Sequence, residues 1–375
     1  MKKGKPDIVL LVCVAVLTVC GLVFVYSASY YSAQLSYGNK YFFLFKQLTG
    51  AVIGAVTLTV ACFVNVDVLR KFALAGVIVS AILLALVFVP GLGVENYGAK
   101  RWVGIGSFSF QPSEIAKFAF VLFSAWYMSS RYRQKFTTYI PVIAVGGAFC
   151  LLIIAEPNMS VTMCMGAVML SMLFVGGMKL KHFAAMLVPC IALVPVLILM
   201  EPYRIQRLLA FLDPWASPKD EGYQLIQSLY ALGSGGFFGV GLFNSRQKYR
   251  FLPFAESDFI FSVIGEEAGV AGCLVVMLLF AIVVWRGIRI AVNARDRFRC
   301  YLAAGITSVI AVQALINFAV VTGSIPPTGL PLPFISYGGT SLVVFLTAVG
   351  VLLAISRENN CKDNVLKGVQ VEIQN

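Results

Sequence analysis

Apolar runs close to the roughly 20 residues that carry a helix across a hydrocarbon layer recur along this chain from residue 8 to residue 356. Backbone inside lipid must satisfy its own hydrogen bonds, and runs of this length do so as helices. They lie at 8–28, 44–64, 72–90, 113–129, 140–155, 159–177, 183–200, 259–285, 300–322 and 339–356. The pattern predicts an all-α polytopic membrane protein of about ten transmembrane helices. Composition agrees, with 12% charged residues against about 25% in soluble domains. Residues 1–356 read as one transmembrane domain and 357–375 as a short tail. The first run follows Lys2, Lys3 and Lys5 as in a secretory signal peptide, but its length and the spans beyond it identify a retained helix. The fifth and sixth runs meet at Glu156-Pro157-Asn158, so this pair reads as two crossings or as one broken helix.

Lysine and arginine gather in alternate connections: the N-terminus, Arg70 and Lys71, Arg131 to Lys135, Lys179 and Lys181, Arg286 to Arg299, and the tail from Arg357. The positive-inside rule then puts both termini in the cytoplasm. The net charge of +12 follows from this topology and gives no reason to expect a nucleic-acid partner. The cysteines lie in or beside spans or in the tail, so no disulfides are expected. Two outer segments are long, 91–112 and a large loop at 201–258 between spans seven and eight. GSGGFFGVG in the latter lacks the Lys-Ser/Thr pair of a phosphate loop; its glycines suit re-entrant segments that turn and pack closely.

Ionisable residues in so apolar a chain are costly and mark candidate sites. Glu114 and Lys117 are three apart on one helix face and read either as a structural ion pair or as the wall of a polar, substrate-holding cavity. Lys46 reads as snorkelling or as a deep cation. Asp258 falls where the large loop meets the eighth span, at a helix start whose dipole favours an anion. Glu266 and Glu267 follow about 12 to 13 Å further along the helix, too deep to share surface chemistry, and read as structural. The single histidine, His182, sits beside cytoplasmic lysines and leaves the outer face without histidine chemistry. What remains there is carboxylates among cations, a combination suited to an anionic, lipid-linked substrate.

GAKRWVGIGSFSFQPSEIAK (98–117), FLDPWASPKDEGYQLIQSLYALGSGGFFGVGL (211–242), DFIFSVIGEEAG (258–269) and TGLPLPFISYGGTSL (328–342) resemble, in order, the shape, elongation, division and sporulation (SEDS) family. YRIQRLLAFLDPW is more similar to its division and sporulation members than to the elongation ones. The resemblance implies a ten-span peptidoglycan glycosyltransferase that polymerises lipid II at the outer face of the cytoplasmic membrane, with a class B penicillin-binding protein and other division proteins as partners. It implies a catalytic role for Asp258. Two segments depart from the family pattern. Leu-Pro-Glu-x-His-Thr-Asp becomes Leu252-Pro253-Phe254-Ala255-Glu256-Ser257-Asp258, and a Pro-Asp-Leu-Gly pattern gives way to Pro157-Asn158-Met159-Ser160. These departures leave the roles of Phe254, Glu256 and Asn158 open.

A sugar hydroxyl is a poor nucleophile, so the expected mechanism has Asp258 as general base and inverts the anomeric centre. The leaving pyrophosphate calls for cations. Candidates are Lys46, Lys100, Arg101, Lys117, Arg204, Arg207, Arg246, Lys248 and Arg250, or a divalent ion such as Mg or Mn, with Trp102 as a sugar platform or interface anchor and Glu114 as cavity wall. A lipid II flippase and a non-catalytic division scaffold are the competing readings.

Overall fold

A computed structural model describes residues 4–96, 99–105, 108–131, 136–200 and 202–374; Lys2, Lys3, Arg133 and Lys135 lie outside it. Each of the ten apolar runs falls on a helix: α1 Ile8–Tyr37, α2 Phe42–Phe63, α4 Ala73–Leu86, α5 Pro112–Ser130, α6 Ile140–Ala155, α7 Met159–Val175, α8 Leu180–Leu199, α11 Ile260–Val292, α12 Arg297–Val321 and α13 Gly339–Gln374. Between them lie the short α3 Val66–Lys71 and, in the large loop, α9 Pro202–Leu212 and α10 Tyr223–Ser234. Valine, leucine and isoleucine side chains stay exposed along α1, α2, α4 and α11, as lipid-facing surfaces require. Among the described residues, five helices are by length and composition apolar enough to cross a membrane, and α4, α6 and α7 are shorter apolar helices.

The fifth and sixth runs form an antiparallel pair, not one bent helix. α6 ends at Ala155, and the side chain of Asn158 caps α7 by accepting from Val161 N at 3.3 Å. The segment 91–112, expected to be a loop, holds a small antiparallel sheet of β1 Gly93–Asn96, β2 Ala99–Ile105 and β3 Phe108–Phe110. Val94 pairs with Trp102, and Val103 with Phe110. Such β-branched and aromatic pairs favour strands, and periodicity is weak evidence over runs this short. Helix α13 continues through the segment read as a tail.

Helix α12 is the axis of the bundle, packed against α5, α7, α11 and α13. α2 and α13 pack along their length because small residues let their backbones approach. A Cβ on Gly350 would stand 2.4 Å from Leu58 O.

α11 is broken inside. Gly269 adopts φ 69° and ψ −168°, which interrupts the helical hydrogen bonds near it. The glycine-rich segment before it repairs the break: Val240 N donates to Glu266 O, Gly241 N to Glu267 O, Val270 N to Gly236 O and Ala271 N to Phe237 O, at 2.9 to 3.1 Å. Gly239 has φ +80°, and a Cβ on it would meet Glu267 O at 2.1 Å. The expected re-entrant role of these glycines is therefore a close backbone-to-backbone fit.

Contacts gather the basic connections at one end of the bundle. Arg299 pairs with Asp67 at 3.0 Å and Glu358 at 2.5 Å, Arg286 with Asp7 at 2.5 Å, and Arg70 donates to Ser130 at 3.1 Å. Asp258, β2 and the 328–338 loop occupy the other end.

Candidate functional site

Asp258 lies two residues before α11, whose N-cap is Phe259, so its carboxylate stands just outside the helix start and does not cap it. Three segments fix the backbone around it. Asn317 on α12 donates to Asp258 O at 2.9 Å, Ser336 Oγ donates to Ser257 O at 2.5 Å, and Tyr337 N donates to Glu256 O at 2.9 Å. The 328–338 loop is anchored from behind, where Gln47 on α2 donates to Ser336 O at 3.0 Å and accepts from Gly338 N at 3.1 Å. The motifs DFIF and TGLPLPFISYGG, distant in sequence, thus meet at one place.

Burial first and the Glu256 charge second raise the Asp258 carboxyl, and Ser257, Arg101 and Arg207 pull it back, which leaves it at about 6. Part of its surface still faces solvent. Burial also pushes the Glu256 carboxyl upward. Two carboxylates and two arginines therefore share one electrostatic environment.

The cations expected from sequence separate into two groups. Arg101, half-buried on β2, donates to Pro157 O at 2.5 Å and acts on Asp258 through its charge. Arg207 on α9 is about half exposed, 3.7 Å from Glu221, and also acts on Asp258. Arg204 is buried on the same helix. Lys100 and Trp102 lie beside Arg101 on β2, the lysine exposed and the tryptophan half-buried. Lys46 is exposed near the start of α2, 4.4 Å from the Phe42 ring.

Other expected contacts are occupied by protein. Lys117 is fully buried; it donates to Glu114 at 2.8 Å and to Gln313 Oε1, while Glu114 also accepts from Ser341 at 3.0 Å. The reading of this pair as a cavity wall gives way to that of a buried ion pair, because an uncompensated ammonium there would be costly. Lys248, offered above as a pyrophosphate ligand, is buried against Glu267 at 3.4 Å and donates to Phe243 O. Glu267 also accepts from Ser27 at 2.6 Å, and Glu266 from Ser245 and from Arg246 N at 2.8 Å. These glutamates are structural, as their depth suggested, and the exposed Arg246 contributes only its backbone to them. Arg250 donates to Ser36 at 2.7 Å.

Sequence reasoning missed Asn317, Gln313, Gln47 and Ser336. Gln313 and Asn317 stand one turn apart in an apolar run, and polar side chains so placed were the available signal. Glu156, in the α6–α7 turn, is buried, and burial raises its carboxyl to about 8 against the pull of Arg101. Among the described residues no three His, Cys, Asp or Glu side chains gather as candidate metal ligands.

The family model described as cell cycle protein, FtsW/RodA/SpoVE, matches residues 7–361. The chain belongs to this family. Within the FtsW/RodA/SpoVE family it is 40% identical to stage V sporulation protein E of Bacillus subtilis (strain 168), over 95% of this chain and 98% of that one. It is 41% identical to a probable peptidoglycan glycosyltransferase FtsW of Geobacter sp. (strain M18), over 93% and 96%. Among solved structures, a chain from a study of polymerization and crosslinking by a peptidoglycan synthase complex superposes with TM-score 0.79 at 27% identity, covering 94% of this chain and 98% of that one. The rod shape determining protein RodA of Thermus thermophilus superposes with TM-score 0.71 at 24% identity, covering 94% and 97%. The latter likeness is one of fold.

Proposed function

We propose that this FtsW/RodA/SpoVE family protein is a peptidoglycan glycosyltransferase that polymerises lipid II, with Asp258 as its general base. The relatives named peptidoglycan glycosyltransferase at about this length support the activity. The observation that carries the assignment of the base is the meeting of Asp258 with Gly329 of the 328–338 loop, within the field of Arg101 and Arg207.

A base is most useful when its pKa lies near the working pH. Asp258, at about 6, is ionised near neutrality yet basic enough to draw the proton from an acceptor sugar hydroxyl as oxygen attacks the anomeric carbon. The bond to the lipid pyrophosphate breaks on the opposite face, which inverts that centre and leaves the electron pair on a phosphate oxygen. Arg101 and Arg207 offset the charge that develops there, and a guanidinium fork matches phosphate oxygens.

The end bearing Asp258 faces outward and both termini face the cytoplasm, because the basic connections gather at the opposite end. The protein then resides in the cytoplasmic membrane, and its likeness to division and sporulation relatives supports work at a septum. A class B penicillin-binding protein is the partner that the synthase-complex likeness supports.

The test incubates the purified protein and its penicillin-binding partner with lipid II, transpeptidation being blocked, and looks for glycan polymer on a gel. Polymer with the native protein and none with folded Asp258→Asn is the expected result. Wild-type polymer from Asp258→Asn would remove Asp258 as base. Movement of labelled lipid II across liposomes without extension would identify a flippase, and neither activity would identify a scaffold.

A further inference from the structure

Two buried amides on α12 have no part in the mechanism above. Gln313 and Asn317 lie one turn apart and face the same loop. Gln313 Nε2 donates to Pro331 O at 2.9 Å; Asn317 Nδ2 donates both to Leu330 O at 2.7 Å and to Asp258 O at 2.9 Å. The two hydrogens of a single planar amide nitrogen thus hold two chain segments in a fixed relation. The amide cannot turn over, because that would set Oδ1 against two carbonyl oxygens. Next to Leu330 is Gly329, the residue that stands against the Asp258 carboxylate.

We propose that Asn317, backed by Gln313, is a positioning residue for glycosyl transfer: its carboxamide sets where the Asp258 carboxylate stands relative to the 328–334 loop. The inference rests on Asp258 being the base. Joining α12 to the loop needs only the bond from Gln313 to Pro331. Asn317 adds a bond to the main chain of the reactive residue itself, and small misplacements of a reacting group lower rates steeply. Gln313 is held in turn, since its Oε1 accepts from Lys117, which is paired with Glu114. The buried ion pair therefore lies behind the base without touching it.

The charged groups facing Asp258 are Glu256 on its own loop, Arg101 on β2 and Arg207 on α9. Release of the Asp258 carbonyl lets this residue turn toward solvent, away from its burial and from Glu256. Its carboxyl then ionises at lower pH.

The test compares Asn317→Ala, Asp258→Asn and the native protein, each with its penicillin-binding partner and lipid II across pH. Asn317→Ala is expected to lower kcat about 10- to 100-fold, to leave KM nearly unchanged and to move the acid limb of kcat to lower pH. Native kcat, or a fall in kcat with the acid limb unmoved, overturns the inference. Asn317→Ser, whose single short hydroxyl donor cannot bridge Leu330 O and Asp258 O, carries the same readout if Asn317→Ala does not accumulate as folded protein. If Asp258→Asn polymerises at the native rate, the reading of Asp258 falls and the inference with it. If only Asn317→Ala behaves natively, Asp258 stands and the inference alone falls.

Discussion

Gly329 and Asp258 approach so closely that a β-carbon on the glycine would stand 3.1 Å from Oδ2 of the aspartate. The glycine has φ +76°, a backbone region in which L side chains are strained. Glycine suits this position on both counts, since a side chain there would be strained and would crowd the carboxylate.

Gly329→Ala adds backbone strain of about 1 to 2 kcal/mol and crowds the carboxylate. Polymerisation should slow markedly, with a modest fall in unfolding temperature. Native polymerisation by this variant would show that the loop can move aside without consequence for catalysis.

The rate should depend on pH through Asp258. A general base works as its ionised form, so polymerisation rises with pH through about 6 and is lost below it. Glu256→Gln removes a negative charge that discourages ionisation, so the acid limb should move to lower pH. Arg101→Ala removes an opposing positive charge and should move it to higher pH. Initial rates measured on either side of the limb decide both; a limb unmoved by Glu256→Gln would mean that the two carboxylates do not sense each other.

Lys248 and Arg246 are both basic residues of the large loop, and the structure gives them different outcomes. Lys248→Met leaves Glu267 buried without its cation, a change that costs about 3 to 5 kcal/mol when a buried pair is broken. The unfolding temperature in detergent should fall strongly. Arg246→Ala, exposed and bonded only through its backbone, should leave that temperature unchanged. An unaltered unfolding temperature for Lys248→Met together with a raised KM for lipid II would instead return Lys248 to the substrate.

The helices were legible because lipid imposes a local rule: a run of apolar residues must close its own hydrogen bonds, whatever surrounds it. Each apolar run that the rule picked out falls on a helix, and the depth of Glu266 and Glu267 along the eighth marked them as structural. It was silent on the break at Gly269, which depends on backbone groups contributed by residues 236–241. It also missed the small sheet, whose strands are too short to show a period.

The sequence by itself determined the membrane class, the grouping of basic connections and the family resemblance, and it singled out Asp258 as the candidate base. Tertiary structure decided which of the basic residues are buried against a carboxylate. Lys117 and Lys248 resemble Arg101 and Arg207 as residue types, but each meets a buried carboxylate from its own fold, while the two arginines act on Asp258. The physical reason is that a charge is characterised by its partners. Those partners lie anywhere from three residues away, as Glu114 does from Lys117, to 279 residues away, as Asp7 does from Arg286.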